Sequence, residues 1–182
     1  MHQLPDDVGV EVAFVGRSNA GKSSAINVVT QQKRLARTSK TPGRTQLINL
    51  FSLNEHCRLV DLPGYGYAKV SLAQKKAWNE LIDKYLTQRQ CLKGLVLIMD
   101  IRHPMKPFDQ QILTWVATSK LPVHILLTKT DKLKRGAANA ALKLVTQAVR
   151  DNERISVQLF STPTQQGVEA CRAQLDTWFT GA

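Results

Sequence analysis

The octet Gly16-Arg17-Ser18-Asn19-Ala20-Gly21-Lys22-Ser23 constrains this chain more than any other stretch. It fits G-x-x-x-x-G-K-[ST], and its flanks suit the pattern. The apolar run Val10–Val15 before it reads as a strand, and Ser24–Thr30 after it as a helix. Glycines let the backbone curl until successive N–H groups face one set of phosphate oxygens. The helix that starts there adds the positive end of its dipole to the same anion site. In such a loop Lys22 reaches the terminal phosphates and the Ser23 hydroxyl ligates Mg²⁺.

The rest of the chain repeats the alternation. Strand candidates are Val10–Val15, Leu47–Leu53, Arg58–Leu62, Leu95–Ile101, Val123–Thr128 and Ile155–Phe160, several of them continuously apolar as expected of strands covered on both faces. Helical stripes lie between them: Trp78, Leu81, Ile82 and Tyr85, opened by the capping box Ser71-x-x-Gln74; Ile112, Trp115 and Val116; Leu142, Val145 and Val149; Val168, Cys171, Leu175 and Trp178. These stripes read as core. Six strands interleaved with about five helices predict a three-layer α/β fold, its sheet mostly parallel with helices on both faces. Leu47–Leu53 and Arg58–Leu62 are joined by Asn54-Glu55-His56-Cys57, short enough for a hairpin, so one edge strand is expected to be antiparallel.

Three further signals fall at strand ends. Asp61-Leu62-Pro63-Gly64 puts an acid where it can hold Mg²⁺ through water, with the Gly64 N–H free to approach a γ-phosphate. Thr128-Lys129-Thr130-Asp131 puts a carboxylate where it accepts from guanine N1–H and the N2 amino group together, with the Lys129 stem along the base. Adenine lacks those donors and would leave the buried charge unpaired. Phe160-Ser161-Thr162 follows the last strand, where backbone N–H groups can meet guanine O6. Each signal alone is weak; their order along an α/β sheet is not, because ligands bind at the C-terminal edge of such sheets.

Charge narrows the partners. The 182 residues carry 25 Lys and Arg against 14 Asp and Glu, a net +11, which favours an anionic partner. Residues 31–93 hold twelve basic and four acidic residues, supplying +8 of that, and the run Lys33, Arg34, Arg37, Lys40, Arg44 contains no acid. It reads either as a solvated loop or as a contact surface for nucleic acid. Cys57, Cys91 and Cys171 are far apart and odd in number, as for reduced thiols in a reducing compartment. The N-terminus shows no secretory pattern, and apolar runs such as Leu95–Met99 are far too short to cross a bilayer. A cytoplasmic protein without a membrane partner is expected.

Taken together, these residues resemble the translation-factor-related guanine-nucleotide-binding proteins. GRSNAGKSS, Leu35–Phe51 (LARTSKTPGRTQLINLF), Arg58–Val70 (RLVDLPGYGYAKV), Met99–Lys106 (MDIRHPMK) and LLTKTDKL look like the EngB/YihA/YsxC family of bacterial ribosome-biogenesis GTPases. The resemblance runs from Leu4 to Phe179. It implies a P-loop GTPase fold with residues 1–182 as one GTP-binding domain, GTP hydrolysis to GDP and phosphate, and nucleotide-dependent assembly of the large ribosomal subunit through ribosomal RNA. It also implies a link to cell division and septation, a monomer and no DNA sequence recognition. Family members usually carry a longer N-terminal lead, so a shortened chain is expected.

Carried over by position, the resemblance assigns Gly16–Ser23 with Ser24 to the phosphate loop, Asp61–Gly64 to the second switch, Thr128–Asp131 to guanine recognition, and Phe160–Thr162 to closure over the base. The first switch falls on Gly43, Arg44, Thr45, Gln46 and Leu47, with Thr45 as second Mg²⁺ ligand; spacing alone does not choose between Thr41 and Thr45. Lys22, Asn19 and Gly64 are the residues expected to act on the transferring phosphoryl group.

Two departures matter. Thr128 stands where Asn is commoner, so an amide contact to the base or the phosphate loop is expected to be missing. Tyr65 stands where Ras-like proteins place a water-orienting Gln, so slow intrinsic hydrolysis is expected. Related GTPases lacking that Gln hold K⁺ through an Asn placed like Asn19; the alternative is that Asn19 only shapes the loop. The competing activity is a small-molecule phosphotransferase, which would need an acceptor site and lid larger than any insertion here. A membrane-surface switch lacks a lipidation signal.

Overall fold

The computed structural model describes residues 4–36, 48–65 and 71–181. Its strands form one six-stranded sheet in the order β2-β3-β1-β4-β5-β6. They are β1 (Val10–Gly16), β2 (Asn49–Ser52), β3 (Cys57–Asp61), β4 (Leu92–Asp100), β5 (Val123–Thr128) and β6 (Ile155–Leu159). All neighbours are parallel except the edge hairpin β2–β3, where Asn49 pairs with Asp61 and Ser52 with Arg58. The expected antiparallel edge strand is therefore present. Leu62 lies beyond the end of β3, and β4 begins three residues before its expected start.

Five helices cover the sheet: α1 (Lys22–Val29), α2 (Leu72–Gln88), α3 (Pro107–Thr118), α4 (Arg135–Val149) and α5 (Val168–Thr180). The pleat sends alternate β1 side chains to opposite faces. Val12 and Phe14 pack with Ile26 of α1 and Val168, Cys171 and Leu175 of α5. Ala13 and Val15 pack with Ile82 and Tyr85 of α2, Ile112 and Val116 of α3, and Val145 and Val149 of α4. Ser71 caps α2 as expected: its hydroxyl accepts from Gln74 N at 3.2 Å, while the Gln74 amide oxygen accepts from Ser71 N at 3.0 Å. No disulfide joins the described cysteines; Cys91 and Cys171 are buried. No helix among the described residues is long and apolar enough to cross a membrane.

This sheet positions the site. Because β1, β3, β4 and β5 run in parallel, Gly16, Asp61, Asp100 and Thr128 all arrive at one edge.

Candidate nucleotide site

The phosphate loop leaves β1 at Gly16, where the backbone passes so close to β4 that an added Cβ would sit 2.8 Å from both Cβ and O of Ile98. It turns into α1 at Gly21, with φ 98°, a conformation favouring glycine. Between them Asn19 also takes a left-handed φ of 63°, which Asn tolerates better than most residues. That angle gives Asn19 a backbone reason to be Asn, alongside any role toward a cation.

Lys22 opens α1, and its ammonium pairs with the Asp61 carboxylate at the end of β3. The contact brings Asp61 beside the first turn of α1, next to Ser23 in sequence. Hard oxygen donors, a hydroxyl and a carboxylate, are those a Mg²⁺ ion prefers when phosphate and water complete its shell. No group of three or more His, Cys, Asp or Glu side chains among the described residues could hold a metal alone. The Ser23 hydroxyl, one residue on from Lys22, and the Asp61 carboxylate are donors of the kind a nucleotide-bound Mg²⁺ would take. Thr45, with Gly43, Arg44, Gln46, Leu47 and the rival Thr41, lies outside the described residues, as do Arg37 and Lys40. Lys33 and Arg34, at the start of the basic run, are exposed.

After Asp61 the chain stays close to the loop. Ser18 N donates to Tyr65 O at 2.7 Å and Tyr65 N donates to Gly16 O at 3.3 Å, laying Tyr65 beside the loop as one more parallel bridge. Its side chain turns into the core. The ring is 2% exposed, stacks on Phe108 at 4.7 Å and meets Trp78 edge-on at 5.4 Å. Its hydroxyl donates to the buried Asp109 carboxylate of α3. Burial, with the neighbouring Asp109 charge, pushes the Tyr65 hydroxyl well above its ordinary pKa, and burial likewise raises that of Asp109. The residue in the Gln position is thus a core residue. Trp78 Nε1 donates to Pro63 O at 2.9 Å and fixes the segment before Gly64.

The guanine half sits where β5 ends. The buried Thr128 hydroxyl contacts Ala20 O at 2.5 Å and Met99 O at 3.1 Å. Thr128 carries no amide, but its hydroxyl makes a contact to a loop carbonyl of its own. Lys129 adopts φ 62°, and its ammonium reaches Asn19 O at 2.5 Å and Asp100 Oδ2 at 2.9 Å. Asp131 lies in one turn of 3₁₀ helix (Thr130–Lys132), accepts the Ser161 hydroxyl at 2.8 Å and lies 3.1 Å from Lys132 Nζ. The Ser161 bond, then the lysine, holds its carboxyl below the usual carboxylate range. Thr130, buried beneath, contacts Gln166 Oε1 at 2.6 Å.

The 160–162 segment differs in one respect from expectation. Phe160 is fully buried with its N–H on Leu127 O at 2.9 Å, and Ser161 N donates to Gln166 O at 3.0 Å. Neither N–H is free for guanine O6. Ser161 acts instead through its hydroxyl on Asp131, which strand-end position could not reveal. Asp100 is the residue sequence reading missed. It stood in the quoted MDIRHPMK stretch, but only the β4–β5 register brings it to Lys129.

A cleft of about 160 Å³ beside the loop is lined by Arg17, Asn19, Asp100, Arg102, Asp109 and Lys129 among others, so the outer shoulder of the loop is open and carries charges of both signs.

Comparison with known proteins agrees with this geometry. Residues 11–129 match the family model described as 50S ribosome-binding GTPase. The chain is 57% identical over 178 residues to a Coxiella burnetii protein named "Probable GTP-binding protein EngB", covering 97% of this chain and 87% of that one. It is 56% identical over 182 residues to the protein of the same name from Enterobacter sp., covering 100% of this chain and 88% of the relative. The chain belongs to the EngB family of GTP-binding proteins. A crystal structure titled as a probable GTP-binding protein engB superposes with TM-score 0.75 at 18% identity, covering 95% of this chain and 100% of that one. Era, in a complex with MgGDPNP and a segment of 16S ribosomal RNA, gives TM-score 0.68 at 20% identity over 94% of this chain and 57% of Era. At these identities the two structures establish the P-loop GTPase fold. Membership of the EngB family makes the chain a GTP-binding protein of a GTPase lineage and favours that reading over the small-molecule phosphotransferase.

Proposed function

We propose that this EngB-family chain is a cytoplasmic, monomeric GTPase, folded as one G domain, whose GTP-bound form associates with the large ribosomal subunit during its assembly and thereby supports normal cell division. The observation that carries the nucleotide reading is the pair of contacts from Thr128 and Lys129 to the consecutive carbonyls of Ala20 and Asn19. They join the base half of the site to the phosphate half, so a ligand must satisfy both at once. The positive charge and the ribosome-binding description of the matched family support the partner.

In this reading the loop N–H groups and Lys22 hold the β- and γ-phosphates, moving the lysine off Asp61. Ser23, Thr45 and Asp61 would hold Mg²⁺, Asp61 through water, and the ion would supply electrostatic stabilisation of the transferring group. Gly64 N–H contacts the γ-phosphate, and Asp131 reads guanine. Since the Tyr65 side chain is buried, it orients no water, and intrinsic hydrolysis is slow. Asn19 provides a K⁺ ligand in compensation, so the rate is higher in K⁺ than in Na⁺ at equal ionic strength, and Asn19→Ala abolishes the difference.

Two measurements test the reading. Titration with GTP, GDP and ATP is expected to show guanine nucleotides bound and ATP not; comparable ATP binding would overturn it. Co-sedimentation with purified large subunits is expected to favour the GTP form, with binding falling steeply as salt rises. Neutralising Lys33, Arg34 and Arg37 together should weaken that association and leave GTP affinity intact. Equal, salt-insensitive association of both nucleotide forms would remove the ribosomal role.

A further inference from the structure

Asp100 closes β4 directly beside Thr128 of β5, in register with it. Its carboxylate is held in place from its own loop. Arg102 N and Nε donate to Oδ1 at 3.1 and 2.9 Å, and Arg102 Nη2 donates to Oδ2 at 2.7 Å. His103 N donates to the Asp100 carbonyl at 2.9 Å. Thus fixed, Oδ2 receives Lys129 Nζ at 2.9 Å, and the same ammonium donates to Asn19 O at 2.5 Å.

Both residues at the ends of that second bond are left-handed without being glycine: Asn19 at φ 63° and Lys129 at φ 62°. Such conformations persist where surrounding contacts over-determine them. Here the lysine side chain ties the two backbones to each other, and Asp100 is the charged anchor of the tie. Burial alone would raise the Asp100 pKa, but the hydrogen bonds from Arg102 and Lys129 outweigh it and keep the carboxyl far below the usual range. The anchor is therefore charged at any pH at which the protein functions.

We propose that Asp100 is a positioning residue of the nucleotide site, holding the Lys129 stem in place for the guanine base and, through Lys129, fixing the Asn19 carbonyl of the phosphate loop. The inference rests on the guanine-site reading above and adds a residue that neither the P-loop pattern nor the T-K-T-D tetrad contains. Without the carboxylate, the Lys129 ammonium keeps one neutral acceptor and solvent, and its side chain, 30% exposed, is free to sample other rotamers. The ordering cost then falls on nucleotide binding. GTP and GDP should suffer alike, because the tie acts on the base and on the loop shoulder and not on the γ-phosphate.

A double-mutant cycle on the full chain tests this, with Kd values for GDP and GTP measured for Asp100→Ala, Lys129→Ala and the double variant. Asp100→Ala is expected to weaken both nucleotides by about 5- to 20-fold, as for loss of one partly exposed charge-assisted bond. In the Lys129→Ala background the same change should have little further effect, within about 2-fold, since nothing remains to be positioned. Asp100→Asn, which retains an acceptor oxygen, should recover most of the affinity. An equal loss from Asp100→Ala with and without Lys129 would overturn the proposal, showing that the carboxylate acts through general stability of the loop. So would unchanged affinity. Asp131→Asn run in parallel separates this failure from that of the site reading. If Asp131→Asn leaves GDP affinity unchanged, the guanine site itself is misassigned. If it weakens GDP while Asp100→Ala does not, only the role of Asp100 falls.

Discussion

Charge is used differently at the two edges of this sheet. At the N-terminal edge, Glu11 of β1 is fully buried and accepts four bonds: Arg58 Nε at 2.9 Å and Arg89 Nη2 at 2.7 Å on one oxygen, Tyr85 Oη at 2.7 Å and Arg89 Nε at 2.9 Å on the other. The two arginines also reach the carbonyls of Pro5, Asp6 and Val8, clamping the start of the described chain. At the C-terminal edge Lys22 pairs with Asp61, Lys129 with Asp100 and Asp131 with Lys132, and an open cleft adjoins Lys129 and Asp100; in the proposed function Lys22 and Asp131 exchange their partners for the nucleotide. A carboxylate with every lone pair satisfied inside the protein has nothing left for a ligand. One satisfied by a lysine and a hydroxyl at a cleft does. The difference lies in exchangeability and not in the number of ion pairs.

Four substitutions probe that contrast. Breaking the N-terminal cluster should have the largest effect: Glu11→Ala leaves two arginines without their buried counter-charge and is expected to lower stability by about 3–5 kcal/mol in urea unfolding, with nucleotide Kd unchanged in the folded fraction. At the other edge, Asp131→Asn should leave the unfolding midpoint nearly unchanged while weakening GTP and GDP binding by about 2–4 kcal/mol, read by titration. If Glu11→Ala altered affinity selectively, or Asp131→Asn chiefly altered stability, the division between the edges would fail.

Tyr65 sharpens the comparison because it lies beside the phosphate loop yet is buried like the N-terminal cluster. Tyr65→Phe removes the donor to Asp109 and should cost about 1–2 kcal/mol of stability, with little change in the hydrolysis rate. A pronounced change in rate would return Tyr65 to the chemistry.

His124, the second residue of β5, puts a buried titratable ring near the N-terminal edge. Its ring nitrogens lie 2.6 Å from Ser156 Oγ and 2.9 Å from Gln158 Oε1, and burial lowers its pKa. The unfolded chain then takes up this proton near pH 6.5 while the folded chain resists it. The associated stability is present above that pH and is lost progressively as the pH falls below it. Unfolding across that window should show the slope in the wild type and lose it in His124→Gln. Carboxylates act further down: the Asp7 pKa is lowered to about 2, since bonds from Cys91 and Gln90 and the Arg89 charge outweigh burial, so its contribution fades only as the pH falls from about 4 toward 2.

Local chemistry was legible in the chain because it is written in contiguous residues. Gly16–Ser23 requires its own turn, Ser71 and Gln74 cap the helix that begins between them, and continuous apolar runs such as Val123–Thr128 identify strands covered on both faces. The order of those signals was enough to place the candidate residues at one edge of an α/β sheet, Asp61 at the end of β3 and Asp131 just after β5. Only tertiary structure decided which distant side chains join them. Asp100 meets Lys129 because β4 and β5 pair in a particular register, the Thr128 hydroxyl meets Ala20 across 108 positions of sequence, and the Ser161 hydroxyl reaches Asp131 from the far side of α4 and β6. The direction of Tyr65 was equally hidden. A tyrosine after Asp61–Gly64 reads as a failed catalytic glutamine until Phe108, Trp78 and Asp109 surround it. A motif records what a backbone segment does alone, whereas a side chain's role depends on what the sheet and helices bring within about 3 Å of it, the reach of a hydrogen bond.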